Sequence, residues 1–471
     1  MLRGRLKLAK PQGGCPMSII VIGAGEVGYN VARKLSQERK EIVVIDKDEE
    51  KVERISETLD VQTVHGSGSS ISVLKRAGIE EASIVIAVTD SDEVNMISCL
   101  VAGVQAIVPV KIARIRDPEY AANERILGKD KLDIDLVINT DQETVDYLMR
   151  ILKVPGARDV VEFASGRIMV VGILVDEKSP LKGKALQELG KEYPREVIVA
   201  AIYREGVVTV PRGKDRILEG DLVYLLGERE ALLELLSSFT GQPVALPQRV
   251  MILGGGNVAL LLAKALEAEG ISPKIVEPDE ERCQFLASEL DKTIVLKWDL
   301  EPYEELMEEE HVRDMDVFMA LSEDEERNIL FALLAKTMGA KRVIAAVHRI
   351  SLIPMAYRTG VDVVVSPSLL AVNRILQYIR KGKVLNVAVL PEEQAEVIET
   401  VAMETSDLVK KPLKDLRLPP GTLVGAILRG DEVLIPRGDT QIQPGDKVTL
   451  VISSASLPQL EKFLMVKLEY W

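Results

Sequence analysis

Two glycine-rich turns contain the residues whose types and spacing can perform recognisable chemistry. The first consists of Gly23, Ala24, Gly25, Glu26, Val27 and Gly28, and the second of Gly254, Gly255, Gly256, Asn257, Val258 and Ala259. Each matches the pattern G-x-G-x-x-G/A between a predicted strand and a predicted helix. In this pattern the first glycine permits a tight turn, the second lets the backbone approach a diphosphate, and the third packs helix against strand. The sequence therefore predicts two nucleotide-binding pockets.

An acidic residue ends the strand that follows each turn. Asp46 has this place in the first copy and Glu277 in the second. The separation between Gly28 and Asp46 is close to the spacing of about 20 residues at which a carboxylate accepts hydrogen bonds from the ribose hydroxyls of an adenine nucleotide. Because Asp46 would repel a 2′-phosphate, the sequence favours NAD(H) over NADP(H) in the first pocket. Lys47 either lies near the adenine edge or an added phosphate, or is a solvated surface lysine.

Two polar residues follow a later predicted strand, residues 84–88. Thr89 and Asp90 come directly after it, at the edge where ligands bind in open parallel sheets. Thr89 either hydrogen-bonds a phosphate or ribose or caps the helix that begins near Glu93, and Asp90 or Asp92 can cap that helix equally well. Both Thr89 and Asp90 are therefore candidates for the first pocket.

Arg114 lies in an otherwise largely apolar predicted strand, residues 109–115. An arginine in such a strand needs a partner, because an unpaired buried charge is costly. A diphosphate or a carboxylate would satisfy it. The sequence favours a bound ligand or a subunit interface as the partner of the Arg114 charge, and an internal ion pair is the alternative.

The second pocket differs in detail from the first. The residues that follow its corresponding strand are Ser322 and Glu323. Trp298-Asp299-Leu300 stand where the first copy has Gly66-Ser67-Gly68, and the basic residues that match Arg114 are shifted to the strand end, at His348-Arg349. The second pocket is therefore expected to bind a nucleotide in a different pose, or a different nucleotide.

The similarity of the two halves extends beyond the glycines. Pro211-Arg212-Gly213 recurs in the second half as Pro436-Arg437-Gly438. Asn95 and Asn328 also correspond, each in a predicted first helical turn, where a structural role is expected. The predicted fold class is α/β, with two Rossmann-like doubly wound parallel-sheet domains, each followed by a small α+β domain, in tandem duplication.

Domain boundaries follow from this repeat. The predicted segments are a leader or cloning remnant at 1–16, a Rossmann-like domain at 17–154, a small domain at 155–242, a second Rossmann-like domain at 243–382 and a second small domain at 383–471. Met17 begins the first strand directly and is the expected start of the protein. The last predicted helix of the first Rossmann-like domain spans residues 141–152, with Asp141 as its N-cap.

Composition narrows the classes of function. The net charge is −14 and aromatic residues are 4 %, which argues against a nucleic-acid partner bound through phosphates or stacked bases. No apolar run reaches the about 18 residues that a membrane-spanning helix needs. The three cysteines and three histidines show neither a disulfide framework nor metal-ligand spacing, which fits a reducing cytosol. The acidic run at residues 304–310 either binds a divalent cation or forms a solvated helix face.

These motifs together resemble a known family. The series GAGEVG, VVID, VTDSDEVN, KIARIRDPEY and PRGxxxxxxGD, most of it echoed in the second half, resembles the RCK/KTN family of regulators of potassium conductance. The tandem arrangement is similar to the TrkA-type peripheral subunits of Trk potassium-uptake systems, and the resemblance covers essentially everything from Met17 onward. It implies a cytosolic gating-ring subunit, a homo-oligomer expected to be tetrameric, on the inner face of the cell membrane beneath a potassium-conducting partner.

The resemblance also implies ligands and their contacts. NAD(H) is the expected cofactor, with ATP or ADP as further ligands, especially at the second site. Carried over by motif, the contacts fall on Gly23 to Val27, Asp46, Thr89, Asp90, Arg114, Gly254 to Val258, Glu277, Ser322 and Glu323. The expected protein is a regulator and not an enzyme, in which nucleotides shift the ring between conformations.

Two other functions compete with this expectation. An NAD-dependent oxidoreductase needs a catalytic acid or base beside the nicotinamide, and the small modules show no obvious constellation of this kind. A redox-sensing transcription factor needs a basic helix-turn-helix, and the sequence shows none.

Overall fold

The chain divides into two units, Met1–Ile138 and Asn139–Trp471. A computed structural model describes residues 18–38, 40–106, 108–121, 123–192, 196–241, 244–298, 303–379, 385–390, 394–457 and 459–460. The expected leader and the expected start at Met17 lie outside the described residues, as do Asp299 and Leu300. Within the described residues, no helix has both the length and the apolar character needed to cross a membrane.

The first unit contains a six-stranded parallel sheet. Its elements are β1 (Ser18–Ile22), α1 (Glu26–Gln37), β2 (Glu41–Asp46), α2 (Glu49–Thr58), β3 (Gln62–His65), α3 (Ile71–Arg76), β4 (Ala82–Ala87), α4 (Asp92–Ala106), β5 (Val110–Arg114), α5 (Pro118–Ala121), α6 (Glu124–Leu127) and β6 (Leu136–Ile138). The strand order is β3-β2-β1-β4-β5-β6. Strands β1 and β4 are almost wholly buried, which is why they read as continuous apolar runs. The chain order reverses between them, so the residues that follow β1 and β4 meet at one edge of the sheet.

The second unit begins with a helix and a five-stranded antiparallel sheet. Its first elements are α7 (Thr140–Leu152), β7 (Ala157–Phe163), β8 (Ile168–Leu174), α8 (Leu186–Glu192), β9 (Val197–Arg204), β10 (Val207–Thr209), β11 (Leu222–Glu228) and α9 (Arg229–Thr240). The strand order is β10-β9-β11-β8-β7. The predicted N-cap of α7 was wrong. Asn139 caps this helix by accepting the N–H groups of Asp141 and Gln142, because it directly precedes the first helical residue whereas Asp141 already lies in the first turn.

A second parallel sheet follows in the same unit. Its elements are β12 (Val250–Leu253), α10 (Asn257–Ala268), β13 (Lys274–Glu277), α11 (Glu280–Glu289), β14 (Ile294–Lys297), α12 (Tyr303–Glu309), β15 (Val317–Ala320), α13 (Glu325–Thr337), β16 (Val343–Ala346), α14 (Ile353–Thr359), β17 (Val363–Val365) and α15 (Pro367–Ile379). The strand order, β14-β13-β12-β15-β16-β17, repeats that of the first sheet.

A second antiparallel sheet completes the repeat. Its strands are β18 (Asn386–Val389), β19 (Ala395–Val401), β20 (Thr422–Arg429), β21 (Glu432–Leu434) and β22 (Lys447–Ser453), in the order β18-β19-β22-β20-β21. The predicted fold class is thereby confirmed, since parallel and antiparallel sheets alternate twice along the chain. Strands β7, β10, β19 and β21 were not predicted.

The two antiparallel sheets share one hydrophobic core. Phe163, Tyr224 and Leu226 from the first sheet are buried in the same cluster as Val397 and Val451 from the second. A hydrogen bond also joins the two sheets. The buried N–H of Ala164, which directly follows β7, donates to the carboxylate of Glu399 in β19 at 3.1 Å. Burial of apolar surface between sheets is the main term that holds such a pair together.

The repeated Gly-Asp motif of the small domains has a structural explanation. Arg204 donates to both carboxylate oxygens of the fully buried Asp221, at 2.6 and 2.7 Å. Arg429 does the same to Asp446, at 3.0 and 2.8 Å. A bidentate arginine–carboxylate pair fixes the geometry of both partners. The motif therefore closes the turn before the strand in each small domain, and both copies of the motif serve this structural role.

Candidate functional site

The first glycine turn joins β1 to α1 and is shaped by close backbone contacts. Gly23 has φ of +108°, and a Cβ there would lie 2.9 Å from the Val88 carbonyl oxygen. A Cβ on Gly28 would lie 1.8 Å from the Gly23 carbonyl oxygen, so the third glycine permits helix and turn to touch. No atom of the described residues lies within 4 Å of the position that a Cβ would take on Gly25. The middle glycine thus faces open space, where a ligand can approach the backbone.

The second glycine turn joins β12 to α10 in the same way. Gly254 has φ of +98°, and a Cβ there would lie 2.8 Å from the Ser322 backbone nitrogen. Among the described atoms, nothing lies within 4 Å of the corresponding position on Gly256. Both turns therefore combine a tightly packed first glycine with an open middle position.

The helices that follow the turns begin without a side-chain cap. Gly25 and Gly256 are the N-caps of α1 and α10, and neither can supply a capping oxygen from a side chain. By contrast, Asp48 caps α2 and Asp279 caps α11 with their carboxylates. Uncapped first-turn N–H groups, together with the helix dipole, form an anion-binding end. Both glycine turns therefore leave helix N-termini that fit a phosphate.

The acid at the end of the second strand reaches back to the glycine turn in both copies. Asp46 accepts the Ala24 N–H at 2.5 Å and the Asp48 N–H at 2.9 Å. Glu277 accepts the Gly255 N–H at 2.6 Å, and its other oxygen accepts the Asp279 N–H at 2.9 Å. The structure thus brings each predicted acid to its predicted turn. Lys47 is exposed next to Asp46.

Thr89 lies beside the first turn, where an asparagine holds it. The Asn95 amide oxygen accepts the Thr89 N–H at 2.9 Å and its hydroxyl at 2.7 Å, and the Asn95 amide nitrogen donates to the Thr89 and Arg114 carbonyls. The cap of α4 is Ser91, whose hydroxyl accepts the Val94 N–H at 3.2 Å. None of the three predicted caps of this helix, Thr89, Asp90 and Asp92, fills that role, because Ser91 directly precedes α4.

The same arrangement recurs in the second copy. The Asn328 amide oxygen accepts the Ser322 N–H at 3.0 Å and its hydroxyl at 2.7 Å. Its amide nitrogen donates to the Ser322 and Ala346 carbonyls. Each asparagine is fully buried and ties the ends of two neighbouring strands, which gives both the structural role expected from their recurrence. Glu323, the other predicted residue here, is exposed.

Arg114 makes the internal ion pair that was the alternative expectation. Its guanidinium lies 3.3 Å from a carboxylate oxygen of Asp90, with the arginine side chain 13 % exposed and the aspartate 94 % exposed. Arg116, which was not predicted as a site residue, donates from its guanidinium to the Asp90 carbonyl at 2.9 Å. The signal for it was the Arg-x-Arg spacing at the strand end. Because Asp90 is so exposed, this pairing contributes little stability, and both cations lie at the sheet edge that also holds the first turn.

The matching cation of the second copy is paired with helix α13. The Arg349 guanidinium donates to Glu325 and Glu326, and Glu325 also accepts the His348 and Arg349 N–H groups at 2.8 and 2.9 Å. Although burial alone would raise the pKa of Glu325, these donors and the positive charge hold that pKa below its usual value. The Arg349 guanidinium is therefore already paired with acids of the protein.

A different arginine, missed from the sequence, reaches the second glycine turn. The Arg282 Nε donates to the Gly255 carbonyl at 2.6 Å, and its terminal nitrogen donates to the Asn257 amide oxygen at 3.2 Å. Its guanidinium also lies 4.9 Å from the centre of the Phe285 ring. No motif signals this residue, since its contact depends on the reach of a long side chain from α11.

Trp298 follows β14 at the same edge of the second sheet. Its backbone N–H donates to the Glu277 carbonyl at 3.2 Å, and its buried indole nitrogen has no hydrogen-bond partner within the described residues. A buried N–H donor without a partner is uncommon. The second crevice therefore differs from the first by an arginine on the turn and by a tryptophan that follows the strand beside the acid.

The described residues contain no group of three or more side chains placed to hold a metal ion. Of the acidic run at residues 304–310, Glu304 and Glu305 are exposed on α12, whereas Leu306 and Met307 are buried beneath them. This run is therefore a solvated face of an amphipathic helix.

Comparisons with known proteins agree with the repeat. The TrkA-N domain model matches residues 19–140 and 250–367, and the TrkA-C domain model matches residues 170–240 and 397–465. The chain is 36 % identical over 460 residues to the Trk system potassium uptake protein TrkA of Azorhizobium caulinodans, covering 97 % of this chain and 100 % of the relative. It is 35 % identical over 446 residues to a TrkA homolog of Archaeoglobus fulgidus, covering 95 % and 99 %.

Solved structures share the fold. The GsuK RCK domain superposes with a TM-score of 0.59 at 18 % identity and covers 98 % of both chains. The GsuK channel bound to NAD superposes with a TM-score of 0.58 at 19 % identity, covering 97 % of this chain and 80 % of that one. The matched domain models and the near full-length identities lead to one conclusion: the chain belongs to the family of Trk system potassium uptake proteins TrkA.

Proposed function

We propose that this protein is the cytosolic regulatory subunit of a Trk-type potassium transporter or channel, and that NAD(H), ATP or ADP controls potassium flux through its membrane partner. The single observation that carries this proposal is the 36 % identity, over nearly the whole chain, to proteins named for Trk potassium uptake. The alternation of parallel and antiparallel sheets, shared with an RCK domain, supports the same role.

The first pocket takes NAD(H) in this proposal. The diphosphate binds at the uncapped N-terminus of α1, over the open side of Gly25, and Asp46 accepts the ribose hydroxyls in place of the Ala24 N–H. Arg114 and Arg116 both contact the exposed Asp90 at the same sheet edge, so they add positive charge toward the phosphates. Lys47, Thr89 and the rest of residues 23–28 complete the proposed contacts.

The second pocket takes ADP or ATP in this proposal. Arg282 already lies on the second glycine turn, where its guanidinium can pair with a terminal phosphate, whereas a dinucleotide carries a neutral ribose at that point. Glu277 accepts ribose hydroxyls in this proposal, and Trp298 follows the neighbouring strand at the same sheet edge. The remaining proposed contacts are Gly254 to Val258, Ser322 and Glu323.

Regulation requires that each nucleotide bind two conformations with different affinity. A ligand shifts an equilibrium only by that difference, and about 10⁴-fold discrimination carries a population from almost all closed to almost all open. We propose that four copies form a ring on the inner face of the membrane and that no chemical turnover accompanies the shift. The GsuK channel bound to NAD, which shares the fold, supports a role for nucleotide in such an assembly.

The direct test of function is complementation. The full chain is expressed in a bacterium whose own TrkA-type subunit has been deleted, together with a Trk-type membrane subunit from the source of this chain. We expect restored growth at low potassium and co-purification of the two proteins. Absence of both, with the chain folded and expressed, overturns the proposal. Oxidation of NADH with a small carbonyl substrate would instead support an oxidoreductase.

A further inference from the structure

A cavity of about 480 Å³ lies in the second unit, and none of its lining residues belongs to either glycine turn. Its walls come from the end of α7, the sheet strands β7 and β8, the start of α9 and the segment at residues 244–246, with one residue, Glu269, that directly follows α10. This volume is within the range of about 300–1,000 Å³ that small-molecule sites occupy.

The floor of the cavity is apolar. Val154 and Met169 are at most 2 % exposed, and Met149 and Leu233 are partly buried against the same core. Val244 lies at this cavity and is 42 % exposed. The exposed valine and the methionine-lined floor form an apolar surface. The apolar part of a ligand can bury this surface from water, which is favourable.

Three cations and two acids also line the cavity, and four of these five charges are paired. Lys153 lies 3.1 Å from Glu269, and Arg229 forms an ion pair with Glu162. Arg150 is the fifth charge. It is half-buried, and across the described ranges its side chain makes no hydrogen bond or ion pair.

Two acids outside the cavity lining interact electrostatically with Arg150, and both have other partners. Glu143 pairs with Arg374 at 3.4 Å, and the Asp159 carboxylate accepts the Tyr147 hydroxyl at 3.2 Å. Both acids interact with Arg150 only through longer-range electrostatics. The cavity therefore presents one uncompensated positive charge above an apolar floor.

We propose that this cavity binds a small organic monoanion with an apolar body, the anionic group on Arg150 and the body on Met149, Met169 and Leu233. One uncompensated charge matches a carboxylate, sulfonate or phosphodiester, whereas a phosphate dianion would bring an excess negative charge next to Glu162 and Glu269. The planar guanidinium can bind such a group through two parallel hydrogen bonds. The bound anion would contact α7, the first antiparallel sheet and the segment that leads into the second parallel sheet. It would act as an effector separate from the nucleotides.

The test uses 8-anilinonaphthalene-1-sulfonate, an apolar body with one sulfonate, titrated by fluorescence into the full chain. The neutral N-phenyl-1-naphthylamine is titrated in parallel. We expect one saturable site for the sulfonate, and Arg150→Gln should weaken it by about tenfold or more while leaving the neutral probe unchanged. Val244→Trp, at an exposed position, should exclude both probes by filling the cavity. Arg125→Gln, an exposed arginine elsewhere, is the matched control and should change nothing.

Three results would overturn the proposal. One is the absence of saturable sulfonate binding. Another is saturable binding that neither Arg150→Gln nor Val244→Trp weakens. The third is a combination of two observations: NADH or ADP displaces the sulfonate probe, and Arg150→Gln leaves the affinity for the probe unchanged. This combination would place the probe in a glycine-turn crevice. NADH and ADP are also titrated into the same samples, so a failure of anion binding at this cavity is distinguishable from a failure of the proposed nucleotide binding.

Discussion

Asp46 and Glu277 perform the same task at the residue scale. Each carboxylate bridges its own glycine turn and the start of the next helix through two backbone N–H groups. An incoming ribose would exchange one of these neutral donors for its hydroxyls at little cost in hydrogen bonds. The acid therefore organises the turn in the absence of a ligand, and in the proposed function it then accepts the ribose hydroxyls.

Asp46→Asn should weaken NADH binding at the first site. A hydrogen bond to a charged group contributes about 1.5–3 kcal/mol, so we expect a loss of about tenfold or more in affinity. The same change should narrow the preference for NAD(H) over NADP(H), because the repulsion of a 2′-phosphate is removed. Isothermal titration of the full chain measures both, with Glu277→Gln as the matched change in the other crevice. Unchanged NADH affinity in Asp46→Asn would contradict the assignment.

Asn95→Ala should lower stability without any ligand present. The side chain is fully buried and satisfies groups on two strand ends, so its removal leaves buried polar groups unpaired, at about 1–3 kcal/mol for each. Asn328→Ala should behave alike, because its contacts are the same. The measurement is the urea midpoint of the full chain, and Gln105→Ala on the exposed side of α4 is the control. Equal midpoints for Asn95→Ala and Gln105→Ala would disprove the structural role.

At the element scale, the end of α7 is held by Arg342, the residue directly before strand β16. The Arg342 guanidinium donates to the carbonyls of Ile151, Val154 and Ala157, where α7 ends and β7 begins. A cation at a helix C-terminus also interacts favourably with the helix dipole. Burial lowers the pKa of Arg342 to about 10, so the side chain remains charged at neutral pH.

Arg342→Met should lower the stability of the protein by removing the contact between Arg342 and the end of α7. The methionine retains the apolar stem but removes the guanidinium donor from three carbonyls, of which those of Ile151 and Val154 each keep a backbone N–H donor, so we expect a total loss of about 1–3 kcal/mol in the free energy of unfolding. Arg342→Lys keeps the charge but lacks the planar set of donors, so we expect an intermediate loss. Urea midpoints of the full chain rank the three proteins. A lysine variant as damaged as the methionine variant would show that shape, and not charge, matters here.

The Glu325–Arg349 contact predicts a pH dependence. Burial alone would raise the pKa of Glu325, but the Arg349 and His348 donors lower it below its usual value of 4.5. A lowered folded-state pKa contributes stability that is present above pH 4.5 and is lost as the pH falls through the lowered value. Wild type should therefore lose thermal stability more steeply than Glu325→Gln as pH falls from about 6 to about 3. Parallel curves for the two proteins would exclude the contact as the cause.

The parallel sheets were predictable from the sequence, and parts of the antiparallel sheets were not. Strands such as β1 and β12 are buried on both faces and therefore read as short apolar runs. Strand β19 contains Glu396 and Glu399, which are nearly fully buried, so its sequence does not resemble a core strand. Burial raises the pKa of Glu399, and the Ala164 N–H of the other sheet partly compensates. Such a strand is stabilised by a contact with a residue far away in the sequence, which no local pattern can indicate.

The candidate site shows the same division. The glycines and the acids follow from spacing, because each has a fixed place in the strand–turn–helix unit. Arg282 and Arg116 were not predicted as site residues, because a contact made by a long side chain depends on the tertiary positions of both ends. For Arg114 the sequence favoured a ligand or a subunit interface and kept an internal ion pair as the alternative, and the structure shows an ion pair with Asp90.

At the scale of the whole molecule, one ancestral unit has been used twice and its copies have diverged. Both glycine turns retain an open middle position and an uncapped helix. The first crevice has two arginines at the sheet edge, whereas the second has paired its edge arginine with acids of α13 and placed Arg282 on the turn instead. The two antiparallel sheets share a core, so these small domains behave as one packed body. This divergence on a duplicated frame is the basis for proposing a different nucleotide at each crevice.

Potassium flux tests the central claim most directly. The full chain is reconstituted in vesicles with its Trk-type membrane subunit, and flux is measured with no nucleotide and with NADH, ADP or ATP, in wild type, Asp46→Asn and Glu277→Gln. We expect nucleotide to change the flux in wild type, and each substitution to remove the response to one class of nucleotide while the basal flux persists. A flux that every nucleotide leaves unchanged, through a complex shown to be assembled, would contradict the account.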